Sequence, residues 1–135
     1  MENKDIRWKQ RFQNFEKSLH YLEDALNIKQ PDMIQRAGII QFFEMSFELA
    51  WNMLKDYLEE QGFIDVLTPR SALKKSLEIR LIQNGSEWMK LLEDRNLTSH
   101  TYDEATALEV ETLIRQNYYP MLKKLYDTFS QKHNA

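Results

Sequence analysis

Apolar side chains recur every three or four residues through the first part of the chain and form one narrow seam. Steps of four, three, four, three and four are typical of an amphipathic helix that packs along one partner. The seam comprises Trp8, Phe12, Phe15, Leu19, Leu22 and Leu26. The pattern breaks over Asn27 to Pro31, which predicts a turn.

A second, longer helix with a wider apolar face is predicted from about Pro31 to Gln61. Proline suits a first helical turn, and Gly62 stands where a C-terminal cap belongs. The main stripe is Ile40, Phe43, Phe47, Ala50, Trp51, Leu54 and Leu58, and the second stripe is Ile39, Phe42, Leu49 and Met53. One stripe can enter the core of the chain, so we expect the other to need a further partner, either another helix or, preferably, a second subunit.

Capping residues predict where three further helices begin. Thr68 is a good N-cap and is followed by Pro69, a good first helical residue. Asn84-Gly85 signals a turn, after which Ser86 can cap the fourth helix. Asp103 can cap the fifth.

Shorter apolar stripes follow these caps. They are Leu73, Leu77 and Leu81 in the third helix, Trp88, Leu91 and Leu92 in the fourth, and Ala107, Val110, Ile114, Tyr118, Met121, Leu125 and Phe129 in the fifth. Pro120 should kink or divide the fifth helix, because proline cannot donate to the helical ladder. His133 is expected in a frayed polar tail.

Together these patterns predict an all-α protein, an antiparallel bundle of about five helices of the four-helix up-and-down type. At 135 residues, with three Gly, three Pro and no convincing strand alternation, residues 1–135 are expected to form a single domain. The wide second helix favours a contact with a second subunit.

Composition excludes several classes of function. Without cysteine there is no disulfide, zinc–thiolate site or thiol nucleophile. No apolar run approaches the roughly 20 residues that span a bilayer, and the polar N-terminus is unlike a secretory signal, so we expect a cytoplasmic protein. A formal charge of −3 argues against broad coating of nucleic acid, but not against a small local site.

The run DRNLTSHTY at positions 94–102 concentrates chemistry that the rest of the chain lacks. Arginine can neutralise charge on a phosphate, and histidine can move a proton near neutral pH. The structural alternative is that Arg95 pairs with a carboxylate and lays its stem along the core. For Tyr102 the alternative is an ordinary half-buried tyrosine.

Helical spacing puts Arg95 on the line of the buried Trp88 and Leu91, but places His100 about 140° away around the axis. The two side chains can meet if the helix ends between them, near Thr98-Ser99, where the hydroxyls compete for backbone hydrogen bonds. They can also meet across a two-fold axis, each subunit presenting its own pair.

Other catalytic patterns are absent from the sequence. The three histidines are spread over the whole chain, without H-E-x-x-H spacing, so a histidine metal site is not predicted. There is no glycine-rich phosphate loop and no G-x-S-x-G elbow. We therefore predict neither a metal nor a cofactor.

Arg-x4-His with Asn96 directly after the arginine resembles the HEPN superfamily of small helical proteins. His-x-Tyr and two long blocks, FELAWNMLKDYL at 47–58 and EDRNLTSHTYDE at 93–104, narrow the resemblance. The chain resembles the branch labelled nucleotidyltransferase substrate-binding proteins, from the first helix to Tyr126.

This resemblance implies a two-fold dimer of helical bundles that acts as the toxin of a toxin–antitoxin pair. The toxin is a metal-independent ribonuclease, with RNA as substrate, tRNA among the candidates, and with Arg95, His100 and Asn96 as its catalytic residues here. The antitoxin is a minimal nucleotidyltransferase encoded nearby, which transfers AMP to the tyrosine of the motif, Tyr102. An older interpretation makes the helical protein a non-catalytic substrate-binding subunit of the nucleotidyltransferase.

The sequence around the motif is acidic. Between positions 90 and 104 it contains two basic residues, Lys90 and Arg95, and four carboxylates. RNA binding would then draw on basic residues elsewhere, and a short contact with a tRNA end suits this charge better than a long duplex. The candidate basic residues are Arg7, Lys9, Arg11, Lys74, Lys75 and Arg80. A third interpretation is a helical dimerisation module without a site.

Overall fold

A computed structural model describes residues 2–135, with side chains from Ile6 onward, and places none of them in a β-strand. Its helices are α1 (Glu2–Leu26), α2 (Met33–Glu60), α3 (Pro69–Glu78), α4 (Gly85–Asp94), α5 (Glu104–Leu113) and α6 (Tyr119–His133). A 3₁₀ helix, Arg95–His100, continues α4, and a π turn, Ile114–Tyr118, joins α5 to α6. Counting that joined pair once, the described chain has five helical segments, which confirms the predicted fold class.

The long helices α1 and α2 form an antiparallel pair at the centre of the bundle. The apolar seam of α1 is buried as predicted, except that Leu26 is only partly covered. Ser18 and Ser46, both buried, share a 2.8 Å hydrogen bond between the helices, so neither hydroxyl is left unsatisfied. Helix α6 packs on α1, and α3 and α5 pack on α2. In the described chain no helix has the length and apolarity needed to cross a membrane.

The ends of α2 follow capping chemistry. Asp32 is its N-cap and forms a capping box with Gln35, so the prediction of a start at Pro31 was wrong by two residues. At the other end Gly62 has φ +102°, and the amide of Phe63 donates to the carbonyl of Leu58. This Schellman motif confirms the predicted cap.

The second stripe of α2 is covered within the chain. Ile39 and Met53 are fully buried, while Phe42 and Leu49 are partly buried against the core. Of the two partners considered for this stripe, the chain itself supplies another helix, because helices packed on α2 bury two of its members fully and the other two in part.

The short helices α3 and α4 begin and end near the predicted positions. Thr68 caps α3 with a capping box, as predicted. Helix α3 ends at Glu78, and Arg80 adopts a left-handed conformation with φ 61°, so Leu81 lies beyond the helix rather than in it. The N-cap of α4 is Asn84, with φ 65°, and not Ser86.

Pro120 divides the last helix, as predicted. It has no amide hydrogen for the carbonyl of Gln116, and the π turn directly precedes it, with Tyr119 donating to Ile114. The wider turn shifts the apolar phase. Leu122 is fully buried and Met121 only partly, which corrects the predicted stripe.

The C-terminal end of α6 is packed, not frayed. The imidazole of His133 stacks on Phe12, with ring centroids 4.8 Å apart, and meets the edge of Trp8. The prediction of a loose tail at His133 was wrong, because the neighbouring aromatic rings of α1 give the helix end a surface to pack on.

Candidate functional site

The motif lies on the 3₁₀ helix because its own hydroxyls support that geometry. Thr98 donates to the carbonyl of Arg95 at 2.6 Å, Ser99 to that of Asn96 at 2.8 Å, and Thr101 to that of Thr98 at 3.2 Å. Each hydroxyl reaches back three residues to a backbone carbonyl, and such bonds compete with the regular α-helical ladder. The α-helix thus ends at Asp94, earlier than the predicted break near Thr98-Ser99.

Asp94 anchors the start of this segment. Its carboxylate accepts hydrogen bonds from Lys90, at 2.7 Å, and from the phenol of Tyr118 in the π turn. Burial alone would raise the pKa of Asp94, but these two donors and the charge of Lys90 outweigh it and hold that pKa below its ordinary value. The residue before Arg95 is therefore fixed to another helix.

Tyr118 is the buried half of this anchor. Its ring stacks on Phe43 with centroids 5.6 Å apart. Burial, and then the hydrogen bond and charge of Asp94, raise the pKa of the Tyr118 phenol well above its ordinary value. The phenol consequently stays protonated and remains a donor at all physiological pH values.

Arg95 extends from the 3₁₀ helix across α2. Its Nη1 lies 3.3 Å from Oε1 of Glu48, and its guanidinium carbon lies 5.4 Å from the ring centre of Phe47. The Arg95 side chain is 33% exposed and that of Glu48 is 57% exposed. Both structural alternatives for Arg95, a carboxylate partner and apolar contact along its side, are thus present, yet the guanidinium stays open to solvent.

Beside Arg95 lies an open pocket of about 310 Å³. It is lined by Phe43, Glu44, Phe47, Glu48, Arg95, Asn96, Thr98 and Ser99. The guanidinium of Arg95 and the amide of Asn96 are donors of the kind that commonly hold phosphate oxygens, whereas the hydroxyls of Thr98 and Ser99 already donate to backbone carbonyls. The two carboxylates come from α2, and the sequence pattern did not assign them to the motif. Their spacing of four, which places both on one side of α2, was the available signal.

His100 is exposed at the far end of the 3₁₀ helix and does not line this pocket. With three residues per turn, five steps place its Cβ direction about 240° around the axis from that of Arg95. Asn96 lies with Arg95, and among the described residues it has no hydrogen bond to His100. The protomer thus unites Arg95 and Asn96 and leaves His100 on another side of the segment.

Tyr102 is exposed, with 88% of its surface accessible, so the half-buried alternative is wrong. Its ring meets that of His100 edge-on, with centroids 6.4 Å apart. It also borders a second cavity of about 170 Å³ between α2 and α5, with Met33, Ile40 and Ala107 among the lining residues. The phenol is accessible to a modifying enzyme.

Most of the basic residues considered for RNA binding are already engaged. Arg7 pairs with Glu59 at 3.6 Å, Arg11 with the buried Asp56 at 3.0 Å, and Lys75 with Glu78 at 2.8 Å. Lys9 lies over the ring of Trp8. Across the described residues no cluster of three or more His, Asp or Glu side chains is arranged to hold a metal ion.

Comparisons with known proteins identify the family of this chain. A family described as "Nucleotidyltransferase substrate binding protein like" matches residues 10–131. A Haemophilus influenzae protein named "Probable ribonuclease HepT" is 35% identical over 88 residues, which is 60% of this chain and 60% of that relative. The chain therefore matches about three-fifths of the length of this curated relative.

A crystal structure of a Thermus thermophilus protein has the same fold. It shares 25% sequence identity with this chain, covers 90% of this chain and 99% of its own, and superimposes with a TM-score of 0.74. The family match spans the bundle and the whole motif, which confirms the resemblance found in the sequence. The chain belongs to the HEPN-like family of nucleotidyltransferase substrate-binding proteins.

Proposed function

We propose that this protein is a ribonuclease that cuts RNA without a metal ion, with Arg95, Asn96 and His100 at its site. The observation that carries the proposal is an open pocket where a solvent-accessible guanidinium and an amide converge, on the same short 3₁₀ helix that carries the exposed imidazole of His100. The name of the Haemophilus influenzae relative supports the same activity.

Each residue has a task that suits its chemistry. Arg95 grips two non-bridging phosphate oxygens with a planar fork that lysine lacks, and Asn96 adds a neutral donor beside it. His100 transfers a proton, a contribution of roughly 10²–10⁴-fold when well placed. Because His100 lies outside the pocket of its own chain, a two-fold dimer that joins two motifs in one cleft is part of the proposal.

The proposed regulation acts at Tyr102. A minimal nucleotidyltransferase, acting as antitoxin, transfers AMP from ATP to the exposed phenol of Tyr102 and releases pyrophosphate and the phenolic proton. The added phosphate and nucleoside stand next to His100, where like charge and bulk oppose the approach of RNA. The family description, which refers to a nucleotidyltransferase, supports the pairing.

Expression of the protein alone tests the activity. The wild type should slow growth and cleave RNA, short or tRNA-sized, in the presence of EDTA. Arg95→Ala and His100→Ala should each lower cleavage by roughly 10²–10⁴-fold. A wild type that neither slows growth nor cuts RNA contradicts the proposal.

A second candidate is a non-catalytic subunit that binds substrate for the nucleotidyltransferase. The acidic pocket supports it, since Glu44 and Glu48 disfavour a polyanion there. Intact-mass measurement after co-expression with ATP present separates the two. A gain in mass by whole AMP units that is lost in Tyr102→Phe favours the regulated toxin. An unmodified, stable complex that binds ATP favours the subunit.

A further inference from the structure

Scission of RNA needs a base for the 2′-hydroxyl and an acid for the leaving 5′-oxygen, and one imidazole does not readily do both at once. We infer that Glu48 is a further catalytic residue, the base that takes the proton of the 2′-hydroxyl, while His100 is the acid. The inference rests on the ribonuclease activity proposed above. It adds a residue from α2 that lies outside the motif.

Glu48 is held at the pocket by donors from two elements. Its Oε1 lies 3.3 Å from Nη1 of Arg95 in the 3₁₀ helix. Its Oε2 accepts a 3.0 Å hydrogen bond from Nε1 of Trp51, on its own helix. Both oxygens are therefore oriented, although the side chain remains open to solvent and to a substrate.

The position of Glu48 suits attack of the 2′-oxygen on phosphorus. In RNA the 2′-oxygen is close to the adjacent phosphorus, so a phosphate gripped by Arg95 brings its 2′-hydroxyl to the rim where Glu48 stands. Attack and departure occur on opposite sides of phosphorus. Glu48 lines the pocket and His100 does not, so the acid reaches the far side of phosphorus from the second motif of the proposed dimer.

The step balances without a further reactant. Glu48 takes the proton of the 2′-hydroxyl while the bond from the 2′-oxygen to phosphorus forms. The bond from phosphorus to the 5′-oxygen breaks, and the imidazolium of His100 gives its proton to that oxygen. The products are a 2′,3′-cyclic phosphate and a free 5′-hydroxyl, and exchange with water restores both side chains.

A different role for Glu48 would be to occupy Arg95 until phosphate displaces it. The size of the effect of substituting Glu48 distinguishes this role from that of a general base. An exposed ion pair contributes about 0.2–1 kcal/mol, so its removal would tighten phosphate binding by roughly fivefold at most. Loss of a general base lowers the rate by roughly 10²–10⁴-fold. The two roles also predict opposite signs for the same substitution.

The charged groups that line the pocket are Arg95, from the 3₁₀ helix, and Glu44 and Glu48, from α2. Glu44 stands one turn before Glu48, and the described contacts include no ion pair between Glu44 and Arg95. Glu44→Gln therefore removes the same charge from the same pocket without touching the proposed base. It is a matched control for simple electrostatics.

The first experiment compares the wild type, Glu48→Gln and Glu44→Gln on a short, labelled single-stranded RNA of mixed sequence, with EDTA, across pH. Glu48→Gln should lower kcat by roughly 10²–10⁴-fold and lose the acidic limb of the pH–rate profile, which reports ionisation of the base. Glu44→Gln should instead lower KM, because it removes repulsion of the phosphate. Glu48→Asp, which keeps a carboxylate, should recover part of the rate.

The second experiment separates base from acid. In an RNA whose leaving 5′-oxygen is replaced by sulfur, departure no longer needs a proton, whereas the 2′-hydroxyl still needs a base. On this substrate His100→Ala should regain most of the wild-type rate, and Glu48→Gln should not. Thermal unfolding of each variant shows whether it is folded.

The outcomes distinguish this inference from the activity on which it rests. If the wild type does not cut RNA, both are wrong. If the wild type cuts and a folded Glu48→Gln keeps or exceeds its kcat, the ribonuclease remains and Glu48 only restrains Arg95. Rescue of Glu48→Gln by the sulfur substrate would make Glu48 the acid and would also overturn the assignment.

Discussion

Two arginine–glutamate contacts in this bundle differ in what surrounds them. In the first, Glu111 accepts from Arg36 and from Arg115, each at 2.8 Å. Arg115 also donates to the carbonyls of Leu26 and Ile28 at 2.7 and 2.9 Å, and so closes the end of α1. In the second, Arg95 meets Glu48 alone, at 3.3 Å, with both side chains more exposed.

The difference indicates that the charges around Glu111 stabilise the fold, whereas the charge of Arg95 is available to bind a substrate. Around Glu111 the carboxylate and both arginines each have at least two polar partners. Burial alone would raise the pKa of Glu111, but its two arginine donors outweigh it and hold that pKa below the ordinary value. Arg95 has one weak partner and an open pocket, which is what a phosphate site requires.

The largest effect should come from Arg95→Lys, which keeps the charge and removes the fork. We expect RNA cleavage to fall by roughly 10²-fold or more, because an ammonium cannot hold two phosphate oxygens in a fixed plane. The melting temperature should hardly change, since the partner is exposed. Cleavage assays and thermal melts of the same preparation check both parts. Full activity in the lysine variant would show that Arg95 acts only as a charge.

Glu111→Gln should have the opposite effect, a loss of stability. It leaves two partly buried arginines without their carboxylate and should reduce the free energy of unfolding by about 2–3 kcal/mol. Urea unfolding at neutral pH measures this loss. A variant as stable as the wild type would mean that the cluster has no structural role.

The Glu111 cluster also predicts a pH dependence. Its carboxyl has a lowered pKa in the folded state, so its contribution is complete above the ordinary value of 4.5 and is lost as pH falls through the folded-state value. Between neutral pH and the acidic range, the wild type should lose stability more steeply than Glu111→Gln. Parallel slopes for the two proteins would contradict this.

Tyr118→Phe should have an intermediate effect at the boundary between the two regions. It removes the buried phenol donor to Asp94 and should cost about 1–2 kcal/mol of unfolding free energy. Tyr119→Phe is the matched control, since its phenol donates to the exposed carboxylate of Glu23 and should matter less. Equal losses from both substitutions would contradict an anchoring role for Tyr118.

The smallest effect should be that of Glu48→Gln on stability. Its exposed pair with Arg95 is expected to change the free energy of unfolding by less than about 0.5 kcal/mol. Urea unfolding at low and high salt should give the same small difference. A loss as large as that of Glu111→Gln would make the Arg95 contact structural and remove the contrast between the two arginine–glutamate contacts.

Most of the fold could be predicted from the sequence because it depends on interactions between residues close together in the chain. The seam of α1, the cap at Thr68 and the turn at Gly62 depend on neighbouring residues, and each was confirmed. The burial of Leu122 in place of Met121 depends on a π turn, whose extra residue no fixed period describes. The packing of His133 depends on Phe12, far away in sequence.

For the site, the motif itself was visible in the sequence, because its residue types are unusual for a helix. Its surroundings were not, since Glu48 is 47 positions from Arg95 and only the fold brings them together. The same holds for Tyr118, 24 positions from Asp94. Spacing within a segment predicts which side chains share a face, but not which distant face lies opposite.

The π turn before Pro120 has a consequence for how the two ends of the bundle relate. Helix α5 packs on α2 and the 3₁₀ helix, whereas α6 packs on α1. The extra residue shifts the helical phase between these halves, because a π turn adds one residue to the usual spacing. One continuous stretch of chain can therefore present one apolar face to α2 near the motif and a differently placed one to α1, where Phe129 meets the edge of Trp8.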